Sequence, residues 1–168
     1  IPAYNAAKYL AATIESALAQ TLPAAQVLVV DDGSTDDTAA IVDRLTAGDG
    51  RLRLIRQPNG GVAAARNAAI AASRGEFLAP LDADDVWDAR KLEQQVARMR
   101  ECGPATGLVY CWWISIDPTG RVLDRSPSWE VEGAALSQLL EVNFTGNSSV
   151  PLFRRQAVAD LGGYDASL

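Results

Sequence analysis

Two stretches of the sequence set carboxylates directly behind an apolar run. QVLVV, Gln26 to Val30, leads into Asp31 and Asp32 of DDGS, and FLAPL, Phe77 to Leu81, leads into Asp82, Asp84 and Asp85 of DADD. Like charges about 4 Å apart repel by roughly 1 kcal/mol in water and by about 4 kcal/mol where the effective dielectric constant falls to about 20. A divalent cation turns that repulsion into attraction and draws phosphates to an otherwise acidic protein. Side chains alternate along extended backbone, so Asp82 and Asp84 are expected on one side, about 6.6 Å apart at Cα, converging on one ligand assembly. Asp85 is expected to point elsewhere and cap a turn.

Composition narrows the chemistry. Histidine is absent from the 168 residues, which removes a Ser-His-Asp triad, a histidine base and every histidine-containing zinc site within this chain. A metal must then sit mostly on oxygen, which leaves Mg²⁺, Mn²⁺ or Ca²⁺. An EF-hand is excluded because Trp87 stands at the sixth loop position, where glycine is needed. The net charge of -6 argues against nucleic acid as a partner, since nonspecific binding needs a basic face. Cys102 and Cys111 are too few for a disulfide scaffold and lack metal-site spacing. No apolar run approaches the ~20 residues that cross a bilayer, and no signal-like segment opens the chain, so a reduced, cytoplasmic setting is the expectation.

GxGxxG and GxxxxGK[ST] are both missing. NGGVAAARN, Asn59 to Asn67, offers a glycine pair at a helix start, a place where backbone amides face an anion. Arg66 falls beside Val62 and Ala69 on the inner face at about 100° per residue. It reads either as an anion-binding arginine or as half of a structural ion pair. Trp112, Trp113 and Trp129 read either as packing or as faces on which a sugar stacks.

The elements that must position these residues follow from periodicity. Leu10, Ile14, Ala17 and Leu18 recur at helical spacing within Ala6 to Gln20, and Ser34 to Asp37 is a capping-box variant ahead of a helix carrying Ile41, Val42 and Leu45. RLRLIR, Arg51 to Arg56, is a strand, Val62 to Arg74 an alanine-rich helix, and EFLAPL, Glu76 to Leu81, the next strand. Asp88 is expected to cap a helix bearing Leu92, Val96 and Met99. Strands near 26, 52 and 77 recur at the interval of a βαβ unit, so a Rossmann-like, mostly parallel central sheet flanked by helices is expected. After Gly107 the pattern becomes an antiparallel extension, with a hairpin over GLVYCWWISI, the DPTG turn and GRVLDR, then a helix at Ala134 to Val142, a strand around Ser149 to Phe153 and a helix ending at Gly162. The chain reads as a single domain of two halves, 1–106 and 107–168. In such α/β sheets ligands bind at the carboxyl ends of strands, where both acidic clusters lie.

Taken in series, IPAYN, VVDDGSTDDT, QPNGGVAAARNAAIAASRGEFLAPLDADDVW and SVPLFRRQAVADLGGYD resemble the family 2 glycosyltransferases of GT-A fold, in order and spacing over nearly the whole chain. The resemblance implies transfer of a sugar from a nucleotide-diphosphate sugar, commonly a UDP-sugar, to an acceptor hydroxyl by a metal-assisted inverting displacement with Mg²⁺ or Mn²⁺. It implies that Pro2, Tyr4 and Asp32 hold the base, that Arg66 belongs to the donor site, and that Asp82 and Asp84 are the DxD pair. Asp84 would be the direct metal ligand, with Asp82 nearer the ribose or one step back from the metal. It sets Thr145, Gly146 and Asn147 beside the transferred sugar and acceptor, a saccharide or lipid-linked sugar, with peripheral membrane association through segments outside this chain. Asp88-Ala89 stands where proline is usual, a departure confined to the local turn. The family's first strand begins before Ile1, and its catalytic base lies in an acidic motif beyond GGYD, which places the base past Leu168. The expectation is a longer enzyme, of which these residues alone bind nucleotide-sugar without efficient turnover. A rival reading takes LDADDV as the nucleophile motif of haloacid-dehalogenase-like phosphatases, with Asp82 attacking phosphorus and Lys91 steadying the phosphate.

Overall fold

The computed structural model describes residues 1–127 and 129–167. Leu168, past which the resemblance places the catalytic base, lies outside the described residues. The first half builds a parallel sheet of order β1-β2-β3 from β1 (Pro2–Ala3), β2 (Val27–Asp31) and β3 (Leu52–Arg56). These strands alternate with α1 (Leu10–Leu18), α2 (Thr38–Thr46) and α3 (Val62–Ala72). All five residues of β2 are buried, as a continuous Val/Leu run requires when both faces of a parallel strand are covered. Leu10, Ile14 and Ala17 of α1 form a stripe at helical spacing that joins Val29, Val42 and Leu52 in one cluster. Each fully buried Leu or Ile there contributes about 1.5–3 kcal/mol.

The register of this sheet aims the loops. Pro2 pairs with Val30, Ala3 with Asp31, and Asp31 with Arg56. Pairing then runs one step past the strand ends, since Asp32 N–H donates to the Ala3 carbonyl at 2.8 Å and Gln57 N–H to the Asp31 carbonyl at 3.0 Å. Tyr4, Asp32 and Gln57 therefore leave the same edge side by side.

Beyond α3 the architecture departs from one continuous parallel sheet. β4 (Phe77–Leu78) pairs antiparallel with β8 (Leu152–Arg154), which also pairs antiparallel with β5 (Leu108–Val109), giving the order β4-β8-β5. Arg155 N–H extends the β4 pairing to the Glu76 carbonyl at 2.9 Å, and Arg154 bridges to the Glu76 carboxylate at 3.1 Å. Pro80 removes a donor just past β4 and ends it two residues after Leu78. An apolar cavity of about 390 Å³, lined by Leu28, Ile70, Phe77 and Leu152 among others, separates the two sheets. α4 (Lys91–Glu101) packs Leu92, Val96 and Met99 against Val109 and Leu152. The expected hairpin is β6 (Ile114–Ile116) with β7 (Val122–Arg125), closed by a turn in which Gly120 N–H donates to the Asp117 carbonyl. α5 (Leu136–Glu141) and α6 (Arg155–Asp160) complete the order.

Two caps differ from expectation. Asp36, rather than a Ser34–Asp37 box, opens α2, its carboxylate accepting from the Thr38 amide at 3.0 Å, while Ser34 Oγ accepts from the Asn5 amide. Asp88 binds the Arg90 amide at 2.9 Å, one residue ahead of α4.

Lys91 is 7% exposed, and its Nζ donates to Gln95 Oε1 at 2.7 Å while lying 4.4 Å from the Trp87 ring centroid. Burial lowers its pKa to about 8 from 10.5, a charge penalty of roughly 3 kcal/mol. Below about pH 8 both folded and unfolded lysine are charged and the penalty is complete; it fades between about pH 8 and 10.5, where only the unfolded lysine stays charged. Lys91→Met should therefore raise stability by about 1–2 kcal/mol near pH 7, after the lost Gln95 hydrogen bond is counted. That advantage should shrink towards about pH 9.5, as read by urea unfolding of both proteins at the two pH values.

Candidate functional site

A cleft of about 460 Å³ opens at the carboxyl end of the parallel sheet. Pro2 and Tyr4 enter it from the end of β1, Val62 and Arg66 from the first turns of α3, and Asp82 and Asp84 from the loop after β4. Five residues singled out in the sequence thus line one cleft, and Tyr4 among them is 54% exposed.

The acidic loop is a turn, in which Asp85 N–H donates to the Asp82 carbonyl at 3.2 Å. Asp82 and Asp84 reach the same cleft because of this turn and not through strand alternation. Arg66 Nη2 meets Asp82 Oδ1 at 2.6 Å, so Arg66 is half of an ion pair, and it also lines the cleft. Its Nε is buried with no hydrogen-bond partner among the described residues. Asp84 is exposed, and among the described residues no hydrogen bond or ion pair reaches its carboxylate.

Asp85 corrects the expectation of a local cap. Its Oδ2 accepts from Ser149 Oγ at 2.6 Å and from Asn147 Nδ2 at 3.0 Å, while Ser149 Oγ accepts from the Asp82 amide at 2.9 Å. Burial pushes the Asp85 carboxyl above its ordinary range, the two hydrogen bonds oppose this, and the neighbouring charges of Asp84 and Asp82 add to it. Trp87 Nε1 donates to the Ser149 carbonyl at 3.0 Å and fastens the same junction. Ser149 was readable only as part of a strand, and nothing in its spacing marks it as the bridge.

Asp32 stands behind the cleft rather than in it. It is 3% exposed, and its carboxylate accepts from Gln57 Nε2 at 2.7 Å, Gly60 N–H at 2.9 Å and Gly61 N–H at 2.8 Å. The glycine-pair amides that could have faced an anion are thus turned onto Asp32, and Gly61 reaches this geometry at φ +86°. Here Asp32 fixes the 57–61 turn beside Tyr4; it offers little open surface to a base.

Of the second-half residues, Asn147 is tied to the acidic loop through Asp85, whereas Thr145 Oγ1 donates to Asn143 Oδ1 at 2.8 Å and does not line the cleft. Gly146, at φ +70°, lies so close to the Trp113 indole that an added Cβ would sit 2.5 Å from Nε1. Trp113 therefore packs this loop, while Trp112 and Trp129 are 56% and 43% exposed. Lys91, needed by the phosphatase reading to steady a phosphate at Asp82, is buried on Gln95. Among the described residues no group of three or more His, Cys, Asp or Glu side chains closes around a metal position, so the cleft contributes two carboxylates and not a cage.

A family model described as Glycosyl transferase family 2 matches residues 1–161. The chondroitin synthase of Pasteurella multocida (strain Pm70) is 33% identical over 129 residues, covering 77% of this chain and 13% of the synthase. The structure of S. aureus TarS 1-349 in complex with UDP has a TM-score of 0.74 at 25% identity, covering 99% of this chain and 49% of that one. The mannosyltransferase PcManGT from Pyrobaculum calidifontis, in complex with GDP-Man and Mn2+, gives 0.73 at 25% identity, covering 99% and 46%. The chain spans less than half the length of each of these proteins.

The Asp32 contacts generate a direct test. Asp32→Ala leaves the Gly60 and Gly61 amides and the Gln57 amide without their acceptor, at an expected cost of about 2–4 kcal/mol. Urea unfolding should show the midpoint falling with little change in slope, and limited proteolysis should find new cleavage within residues 57–61.

Proposed function

Since the chain belongs to glycosyl transferase family 2 and has its GT-A fold, we propose that the cleft holds a nucleotide-diphosphate sugar, a UDP-sugar by preference, whose sugar passes to an acceptor hydroxyl with inversion. The observation that carries this reading is the convergence of Pro2, Tyr4, Arg66, Asp82 and Asp84 on one cleft at the carboxyl end of the parallel sheet.

The roles follow from the groups. Pro2 and the exposed Tyr4 ring offer flat apolar surface to a base. Arg66 supplies positive charge to the diphosphate, and its buried, unpartnered Nε leaves donor capacity unused. Asp84, open and unengaged, and Asp82, whose Oδ1 alone is taken by Arg66, fit a hard cation that takes one or two carboxylates and fills its remaining positions with phosphate and water. Mg²⁺ or Mn²⁺ bound there would stabilise the charge that builds on the leaving diphosphate. Attack by the acceptor hydroxyl needs a carboxylate base within hydrogen-bond reach. Asp82 and Asp84 are committed to the donor in this reading, so the base is assigned to none of the described residues. The acceptor is a saccharide or lipid-linked sugar approaching past Asn147, which Asp85 ties to the acidic loop.

Calorimetric titration of UDP tests the reading, with Mn²⁺, with EDTA, and on Asp84→Ala. Binding in Mn²⁺ should weaken by about tenfold or more both in EDTA and in the variant. Folded protein that binds none of UDP, GDP or dTDP in Mn²⁺ would sink the donor-site reading, whereas binding that persists in EDTA would remove only the metal.

A further inference from the structure

The GGYD segment near the end of the chain has a place in the fold that the roles above leave unexplained. Asn67, next to Arg66 on α3, grips it across 97 residues of sequence: its Nδ2 donates to the Tyr164 carbonyl at 2.8 Å and its Oδ1 accepts from the Tyr164 amide at 2.8 Å. One carboxamide thus satisfies both backbone groups of one residue, as a neighbouring strand would. Gly163 makes the approach feasible, since it sits at φ +88° and an added Cβ would lie 2.6 Å from Asn67 Oδ1. From the other side, the Gly162 and Gly163 amides donate to the Ala159 and Val158 carbonyls at the end of α6, both at 3.1 Å.

This two-sided grip puts the Tyr164 ring over Arg66, with Cζ 5.2 Å from the ring centroid. The guanidinium is then held between an aromatic face and the Asp82 carboxylate at 2.6 Å. No hydrogen bond from the described residues steadies its Nε. A long arginine side chain left to swing would lose rotamer freedom only on binding, and fixing it beforehand removes that cost.

We propose that Tyr164 is a positioning residue for the donor site: its ring holds the Arg66 guanidinium at the cleft, and Asn67 latches the 162–164 turn to keep the ring there. The inference rests on the reading of the cleft as a nucleotide-diphosphate site. A purely structural Tyr164 would only fill the edge of the neighbouring apolar cavity, which it also lines. The two roles differ in which part of a ligand feels the change.

The test compares UDP with uridine, both in Mn²⁺, on wild type, Tyr164→Phe, Tyr164→Leu, Asn67→Ala, Arg66→Ala and the Arg66→Ala/Tyr164→Leu double variant. Tyr164→Leu and Asn67→Ala should each weaken UDP by roughly three- to thirty-fold while leaving uridine unchanged, and Tyr164→Phe, which keeps the ring, should restore UDP affinity. Without Arg66, the Leu substitution should add no further loss. Equal losses for UDP and uridine, or the same loss in the absence of Arg66, would overturn the proposal. A ligand-free NMR reading separates this outcome from failure of the donor site itself. Ring-current-shifted Arg66 side-chain protons should be present in wild type and Tyr164→Phe and absent in Tyr164→Leu. Their absence from wild type would overturn the positioning role even if UDP binds; their presence in a protein that binds no nucleotide would leave the geometry standing and sink the donor-site reading.

Discussion

The ion pair between Arg66 and Asp82 lets three carboxylates share one short loop. Asp82, Asp84 and Asp85 would repel one another by about 1–4 kcal/mol per close pair. The fold gives each a different environment. Asp82 meets a guanidinium at 2.6 Å, Asp85 accepts from Ser149 and Asn147, and Asp84 alone stays in solvent with no partner among the described residues. The cluster is thereby sorted into a paired charge, a hydrogen-bonded charge and an open one. With side chains 15% and 28% exposed, the pair between Arg66 and Asp82 is not a large source of stability, because desolvation offsets much of its Coulomb attraction. What it fixes is geometry, since it binds the start of α3 to the acidic loop across the cleft.

Parallel register supplies the other half of that geometry. Because Ala3 pairs with Asp31 and Asp31 with Arg56, the first loop residue of each strand emerges at the same level. Asp32 then needs only its own side chain to reach Gln57, Gly60 and Gly61. The 57–61 turn is held where α3 must begin, and Arg66 follows one helical turn later. The position of Arg66 is therefore set twice, from behind by a buried carboxylate and from the front by Asp82.

Periodicity made the first half legible. The five buried residues of β2, the stripe Leu10, Ile14 and Ala17, and the alanine-rich α3 each carry a local signal strong enough to name the element. The carboxyl-end rule then pointed to the edge of the sheet where the cleft opens and to Asp82 and Asp84, whereas Pro2 and Tyr4 were named only through the family resemblance. Pairing partners were harder to read. EFLAPL looks like one more parallel strand, but its antiparallel partner β8 lies some 75 residues downstream, and the pattern of a short apolar run does not specify direction. The side-chain bridges were invisible for a similar reason: a serine at 149 or an asparagine at 67 has no periodic signature, and its role exists only once distant segments meet. Alternation along an extended backbone was the wrong ground for putting Asp82 and Asp84 on one side, since both line the cleft but the backbone there is a turn. The spacing D-x-D was informative because several local conformations converge on it.

The contacts that finish the cleft all span long stretches of sequence: 67 residues from Asp82 to Ser149, 64 from Ser149 to Asp85 and 97 from Asn67 to Tyr164. None can persist in a locally folded α/β half, because closing such loops costs entropy that only the completed packing of β8 against β4 and β5 offsets. The cleft is therefore a product of the whole chain, although every residue lining it comes from the first 84 positions. It follows that a ligand bridging Arg66 and Asp84 would engage groups held in place by the second half, and its binding free energy would add to the stability of segments it never touches. On the proposed donor-site reading, nucleotide binding and the docking of residues 143–164 would be one equilibrium, joined through Ser149 at one end of the acidic loop and through Tyr164 at the arginine that faces it.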